Sequence, residues 1–153
     1  DKLIVATNAF TQKILPEKKI KPGRGYVFVT NEIATMEWKG TFHYNKGYVY
    51  FRNISEDRIL IGGGRDVAYE EESTSEFGVN NSIKEYLIHF ANEVMELPKG
   101  WEIEQEWSGI MGFTESKSYL LEEIGEHCLL AAGLSGMGVA LGMNLGKKAA
   151  GLV

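Results

Sequence analysis

The residues best suited to chemistry on a bound group form one stretch near the C-terminus, Leu129-Leu130-Ala131-Ala132-Gly133-Leu134-Ser135-Gly136-Met137-Gly138-Val139-Ala140-Leu141-Gly142. An apolar run short enough for a buried strand meets a Gly-Leu-Ser-Gly-Met-Gly turn that opens a helix-like segment. Glycines at 133, 136 and 138 let the backbone bend sharply and leave no Cβ between its N–H groups and a ligand. N–H groups at a helix start, reinforced by the helix dipole, suit the electron-rich edge of a cofactor. The same pattern also serves simply to pack a helix tightly on a sheet, so both readings stand at this point. A third, a membrane span, arises because Cys128 to Leu145 carries no charge and is long enough to cross a bilayer. Its glycines, with Ser135 and Asn144, make a poor single helix, and the preceding Glu122, Glu123 and Glu126 supply no basic anchor. That reading is rejected. Elsewhere the sequence holds no dinucleotide fingerprint followed by an acidic residue, no metal cluster and no nucleophile paired with a base.

Composition narrows the function classes. The 153 residues suffice for one domain with a real core and are too few for two comfortable ones. With 24% charged and 44% apolar residues the chain is ordinary for a globular protein. A net charge of −5 argues against nucleic acid as the main partner, because phosphate neutralisation needs a basic surface. Lys18, Lys19 and Lys21 cluster between Pro16 and Pro22 as solvated loop residues. A single cysteine, Cys128, excludes an intrachain disulfide framework and fits a reducing, cytoplasmic setting. Its apolar neighbours mark it as a buried structural residue ahead of a reactive thiol. The chain shows no signal peptide. Asp1 is not an initiator, and Leu3-Ile4-Val5-Ala6 is a buried-type strand that needs neighbours on both sides. The expectation is a fragment of a longer polypeptide.

The elements that position the glycine stretch follow from patterning. Lys2 to Ala6 reads as a strand ending in the Thr7-Asn8 turn, and 11–22 as a loop or broken helical turn. Tyr26 to Val29, Thr35 to Tyr44, Tyr48 to Ile54 and Ile59 to Ile61 read as an antiparallel meander, with Asn45-Lys46-Gly47 as a hairpin turn. Ser82 with Glu85 forms a capping box, and Ile83, Leu87, Phe90, Val94 and Leu97 make a helical stripe over 82–97, ended by Pro98 and Gly100. Trp101 to Gly109 and Cys128 to Ala132 read as strands. A final helix starts near Gly136, with Gly138, Gly142 and Gly146 on one stripe for close approach to a sheet. Lys147 and Lys148 near its C-terminal end favour the dipole. The fold class is α+β, mostly antiparallel sheet with one long amphipathic helix and a C-terminal glycine-turn helix.

Other candidate residues each have a plain structural alternative. His43 on a strand can serve as a site base or as a satisfied sheet histidine. His89 falls off the apolar stripe of its helix, and His127 flanks a buried strand. Trp38 and Trp107 suit a core. Glu70-Glu71-Glu72 reads as a solvated loop. Gly62-Gly63-Gly64 either brings backbone close to a ligand or ends a strand.

The order of these elements is similar to that of a known family. Ala6-Thr7-Asn8-Ala9 at a strand end, Arg24-Gly25 opening a strand, Tyr50-Phe51-Arg52, Ile61-Gly62-Gly63, Trp107-Ser108-Gly109 and the Gly133 to Gly138 turn occur in sequence. Over essentially its whole length the chain resembles the C-terminal portion of FAD-dependent oxidoreductases of the D-amino-acid oxidase and glycine oxidase superfamily. The resemblance implies a two-domain enzyme whose N-terminal dinucleotide fold lies outside these residues and is this chain's first partner. It assigns 1–9 to the FAD-binding domain, 10–124 to the substrate domain and 125–153 to a return into the FAD-binding domain. It implies FAD as cofactor, hydride removal from an amine-bearing carbon, and a small amine or amino acid as substrate. Gly133, Leu134, Ser135, Gly136, Met137 and Gly138 would lie against the flavin, with Thr7 and Asn8 approaching from the other side. Tyr48, Tyr50 and Arg52, joined by His43, would face the substrate, because period-2 geometry aligns 48, 50 and 52. An arginine there suits a carboxylate.

One departure bears on the substrate. Met111, in Ile110-Met111-Gly112-Phe113-Thr114, stands where the resemblance leads one to expect a carboxylate-binding arginine. Either Arg52 or Arg65 takes that task, or the substrate lacks an α-carboxylate. With only part of the cofactor site, these residues alone are expected to be inactive and not to retain FAD. The competing reading is a non-catalytic binding or assembly module with a purely structural glycine turn.

Overall fold

The computed structural model describes residues 2–34 and 36–152, arranged in two compact units. One unit comprises 1–23, 73–75 and 110–153, the other 24–72 and 76–109. Two of the divisions fall within β2 (Lys21–Thr30) and β6 (Ile103–Phe113), and the other two flank residues 73–75. Thr35 lies outside the described residues, and so does that end of the expected 35–44 strand. Among the rest of that span only Thr41–Tyr44 forms a strand, β3. The aromatic side chain of Trp38 instead packs edge-on against Phe42 and Phe51.

In the first unit, β8 (Cys128–Ala132) is the strand expected from its apolar run. It lies between β1 (Leu3–Val5), which runs parallel to it, and β7 (Leu120–Gly125), which runs antiparallel. Alternation divides its side chains. Leu129 and Ala131 meet Leu145 and Ala149 of α2 (Gly138–Leu152), whereas Leu130 and Ala132 pack with Ile20 on the other face. Strand β7 is absent from the sequence reading. Glu122 and Glu123 interrupt its apolar alternation, and its register shifts between Glu123 and Gly125. Strand β1 is paired on one edge only among the described residues, and Leu3 remains 58% exposed.

The glycine stripe of α2 does not act as expected. A Cβ at Gly142 or Gly146 would meet nothing within 4 Å. Both glycines line a cleft of about 240 Å³ with Ile4, Ala6 and Leu134. Leu145 and Ala149 make the sheet contact instead, because they lie on the helix face turned to β8.

In the second unit, β3, β4 (Val49–Asn53), β5 (Ile59–Gly63), β2 and β6 form a five-stranded sheet in that order. Pairing is antiparallel from β3 through β4 and β5 to β2, as the meander requires. The turn between β3 and β4 places Asn45, Lys46 and Gly47 all at positive φ. Tyr26, Phe28, Val49, Ile59 and Ile61 bury one sheet face against Ile83, Leu87 and Phe90 of α1 (Asn81–Glu93).

Two helix boundaries differ from the sequence reading. The N-cap is Asn80, whose side chain accepts from the Ser82 N–H at 3.0 Å, so Ser82 already lies inside the helix and no Ser82 capping box forms. The helix ends at Glu93, before Pro98. Val94 and Met95 N–H both donate to Phe90 O at 3.0 Å, and Glu96 takes φ +51°, which turns the chain back and buries Leu97.

The acidic run also differs. Glu72 is fully buried, and both its carboxylate oxygens accept from Arg24, at 2.9 Å from Nε and 2.7 Å from the terminal nitrogen. Asn80 Nδ2 adds a bond at 3.1 Å. Hydrogen bonding to Glu72 is the main cause of the raised Arg24 pKa. Nearby, the buried Tyr26 hydroxyl donates to Glu106, which also accepts from Lys84 Nζ at 2.8 Å. Burial first, and then this bond, push the Tyr26 phenol up, while Lys84 and Tyr26 hold the Glu106 carboxyl below its usual range.

Candidate functional site

The glycine turn is shaped by left-handed backbone at Gly133 (φ +78°), Ser135 (φ +51°) and Gly136 (φ +82°). Its N–H groups divide into two sets. Gly133 and Leu134 donate to Asn8 Oδ1 at 3.0 and 3.4 Å, and Ser135 donates to Gly112 O at 2.8 Å. These three bonds point into the unit. Met137 N–H closes the turn on Leu134 O at 2.8 Å. Among the described residues no backbone acceptor serves the N–H groups of Gly136 and Gly138 within the turn; Gly136 and Met137 are exposed and Gly138 is half-buried. The donors open to a ligand are therefore narrowed to the 136–138 side.

Side chains reinforce this arrangement. Ser135 Oγ accepts from Thr114 N–H at 3.2 Å, and Thr114 Oγ1 donates to Ser118 O at 2.7 Å. Met111 neighbours the open side, since a Cβ at Gly136 would lie 3.8 Å from its Sδ. Thr7 Oγ1 lies 3.0 Å from Thr11 Oγ1, at the turn that follows β1.

The second unit carries the other candidate residues. Directly paired residues share a sheet face, so His43, Tyr50 and Gly62 lie together, as do Thr41, Arg52 and Leu60 beside them on the same face. This face is opposite the one that α1 covers. Tyr48 precedes β4, in helical backbone (φ −70°, ψ −24°), so the alternation that was to align it with Tyr50 and Arg52 does not reach it. The Tyr50 hydroxyl lies over Gly62, where a Cβ would stand 2.5 Å from it. Desolvation there pushes the Tyr50 phenol up. Arg52 is exposed and has no ion pair among the described residues. Arg65 instead places its guanidinium 4.3 Å from the centroid of the Tyr69 ring.

His89 and His127 are exposed, and Trp107 is 45% exposed rather than in the core. No group of ligands able to hold a metal ion occurs among the described residues. No helix is long and apolar enough to cross a membrane among them either. Sequence reasoning missed Gly112 because it ended this strand at Gly109, whereas β6 runs on to Phe113 and brings Gly112 so close to Asn8 that a Cβ would stand 2.8 Å from its Oδ1.

A family profile described as FAD dependent oxidoreductase matches residues 1–152. Among solved structures, iminodiacetate oxidase from Chelativorans sp. BNC1 superposes with a TM-score of 0.84 at 17% identity, over 99% of this chain and 42% of that one. L-Proline dehydrogenase from P. horikoshii gives a TM-score of 0.78 at 18% identity, over 99% of this chain and 42% of that one. Glycine oxidase from Geobacillus kaustophilus gives 0.75 at 20% identity, over 95% and 39%. This chain thus spans about two-fifths of the length of these neighbours. No curated protein matches it.

Proposed function

The chain belongs to the FAD dependent oxidoreductase family, and from that premise we propose that it supplies the substrate-facing sheet and a flavin-facing turn of an enzyme that oxidises an amine or amino acid. The single observation that carries this reading is the division of N–H groups in the glycine turn, with Gly136 and Gly138 left on its open side. That side lacks a Cβ at both positions and so fits the edge of a flavin that becomes electron-rich on reduction. Bound FAD would supply the chemistry, taking a hydride from the carbon that bears the amine. In this reading 1–9 and 125–153 belong with an FAD-binding domain and 10–124 with a substrate domain, completed by a dinucleotide fold that these residues do not contain. The neighbouring enzymes are named for iminodiacetate, proline and glycine, each an amine bearing a carboxylate.

The chain's own residues then bind and orient. Arg52 offers an uncommitted planar fork for a carboxylate, on the sheet face it shares with Tyr50 and His43. Met111 lines the turn with an apolar, adaptable thioether. Thr7 and Asn8 hold the end of β1 beside the turn.

Absorbance spectroscopy of the whole protein tests the cofactor. A flavin band should accompany it through gel filtration, and residues 1–153 alone should be colourless and without turnover. Gly136→Val should abolish FAD retention while leaving far-ultraviolet circular dichroism unchanged, because a β-branched residue strongly resists positive φ. A variant that keeps both flavin and rate would mark the turn as structural.

Arg52→Lys tests the substrate. An ammonium is a point charge and loses the bidentate fork, so KM for carboxylate-bearing amines should rise roughly 10-fold or more with kcat nearly unchanged. Amines without a carboxylate should respond little. Equal effects on both classes would remove Arg52 as the anchor and make Arg65 the next candidate. Failure of the wild type to turn over any carboxylate-bearing amine would point to a simple amine held beside Met111.

A further inference from the structure

The geometry points to Asn8 as a positioning residue that acts through the glycine turn rather than by touching a cofactor, an inference that rests on the FAD reading above. Asn8 sits at φ +43°, in the left-handed region that asparagine tolerates better than most residues. One carbonyl oxygen with two lone pairs can accept two N–H groups. Asn8 Oδ1 does so from Gly133, 125 residues away, at 3.0 Å and from Leu134, 126 residues away, at 3.4 Å. Gly112 completes the clamp. Its carbonyl takes the Ser135 N–H at 2.8 Å, and a Cβ on it would stand 2.8 Å from Asn8 Oδ1 and 2.9 Å from Ala9 N. Room for Asn8 therefore exists because residue 112 has no side chain. Gly133 also packs closely on Thr114, because a Cβ added to it would lie 2.5 Å from Thr114 Cγ2.

The consequence concerns orientation. With 133, 134 and 135 all held inward, the peptide planes that follow have little freedom, and the Gly136 and Gly138 N–H groups are presented on the exposed side. Gly133 is buried, so water does not readily replace a lost Asn8 oxygen. Asn8 thus determines how well the turn stabilises negative charge on a reduced flavin while remaining one layer behind it.

Two substitutions in the FAD-loaded enzyme separate this role from a merely structural one. Asn8→Gly removes the acceptor and at the same time relieves the backbone cost of positive φ. Asn8→Asp keeps an acceptor for both N–H groups. Asn8→Gly should weaken binding of reduced flavin about 10-fold relative to oxidised flavin. That corresponds to a fall of about 30 mV in the two-electron midpoint potential, readable by dye equilibration. Asn8→Asp should retain FAD on dilution within about twofold of wild type, since the bonds to Gly133 and Leu134 persist. If Asn8→Gly yields no folded protein, Asn8→Asp decides alone, with wild-type retention supporting the clamp and release of FAD overturning it. A wild type that holds FAD alongside an Asn8→Gly variant of unchanged potential and retention overturns this inference and leaves the cofactor reading intact. A wild type that binds no FAD overturns both.

Discussion

Replacing Glu72 by alanine should lower the stability of the chain by about 3–5 kcal/mol, the cost of stranding one partner of a buried ion pair. The carboxylate side chain is 1% exposed and that of Arg24 is 14% exposed, so removing the anion leaves a guanidinium with little water to solvate it. The damage also spreads along the backbone. Arg24 N–H donates to Glu72 O at 2.8 Å, and Asn80, the α1 cap, bonds to the same carboxylate. Loosening residue 72 therefore disturbs both the first half of β2 and the start of the helix that packs on it. Urea denaturation should show the midpoint fall with little change in slope. Glu72→Gln should be nearly as harmful, because a neutral amide keeps the shape and loses the charge. A loss below about 1 kcal/mol in Glu72→Ala would mean that the pair opens to solvent as surface pairs do. The exposed neighbour Glu70 provides the internal control: alanine there should change stability by no more than about 0.5 kcal/mol.

Gly63→Ala should be of comparable severity, at least about 3 kcal/mol, for two reasons that add. Gly63 adopts φ +112°, which an L side chain rarely adopts. A Cβ there would also collide with the carbonyl oxygen of Tyr48, a backbone atom held by the Gly64 N–H at 2.7 Å. The neighbour cannot rotate away, unlike a flexible side chain. The clash falls where Val49 pairs with Gly63, at the entry to the strand that carries Tyr50 and Arg52. Thermal unfolding of Gly63→Ala should therefore show a lowered midpoint together with loss of the fixed Tyr50 environment, visible in near-ultraviolet circular dichroism. Gly100→Ala serves as a control for φ alone, since it sits at φ +90° with nothing within 4 Å of a Cβ. It should cost only about 1–2 kcal/mol. Equal losses at 63 and 100 would show that backbone conformation, rather than the collision with Tyr48, governs both sites.

The sequence by itself determined whatever depends on neighbours along the chain. Apolar runs and alternation placed β1, β2, β4, β5 and β8, and Asn45-Lys46-Gly47 placed the turn between β3 and β4. The stripe of Ile83, Leu87 and Phe90 identified α1 and its buried face. Periodicity is a local property, so one chain suffices to read it. The glycine turn and the ordered motifs pointed to the family that the profile match establishes.

Tertiary structure decided what depends on residues distant in sequence. Glu72 reads as one acid in a solvated run until Arg24 is brought against it, 48 residues away. Strand β7 exists because β8 pairs with it, and the unfavourable Glu122 and Glu123 are carried along in that register. Tyr50, Arg52 and His43 share a face because β3 and β4 pair in one particular register, and Tyr48 leaves that face because the strand starts one residue later. The glycine turn is the clearest instance. Glycine spacing announces that its backbone can bend, but not which N–H groups remain open. That choice belongs to Asn8 and Gly112, whose oxygens lie far along the chain and reach residues 133–135 only in the fold. Hydrogen-bond acceptors act within about 3 Å, and sequence distance carries no information about which oxygen will be there.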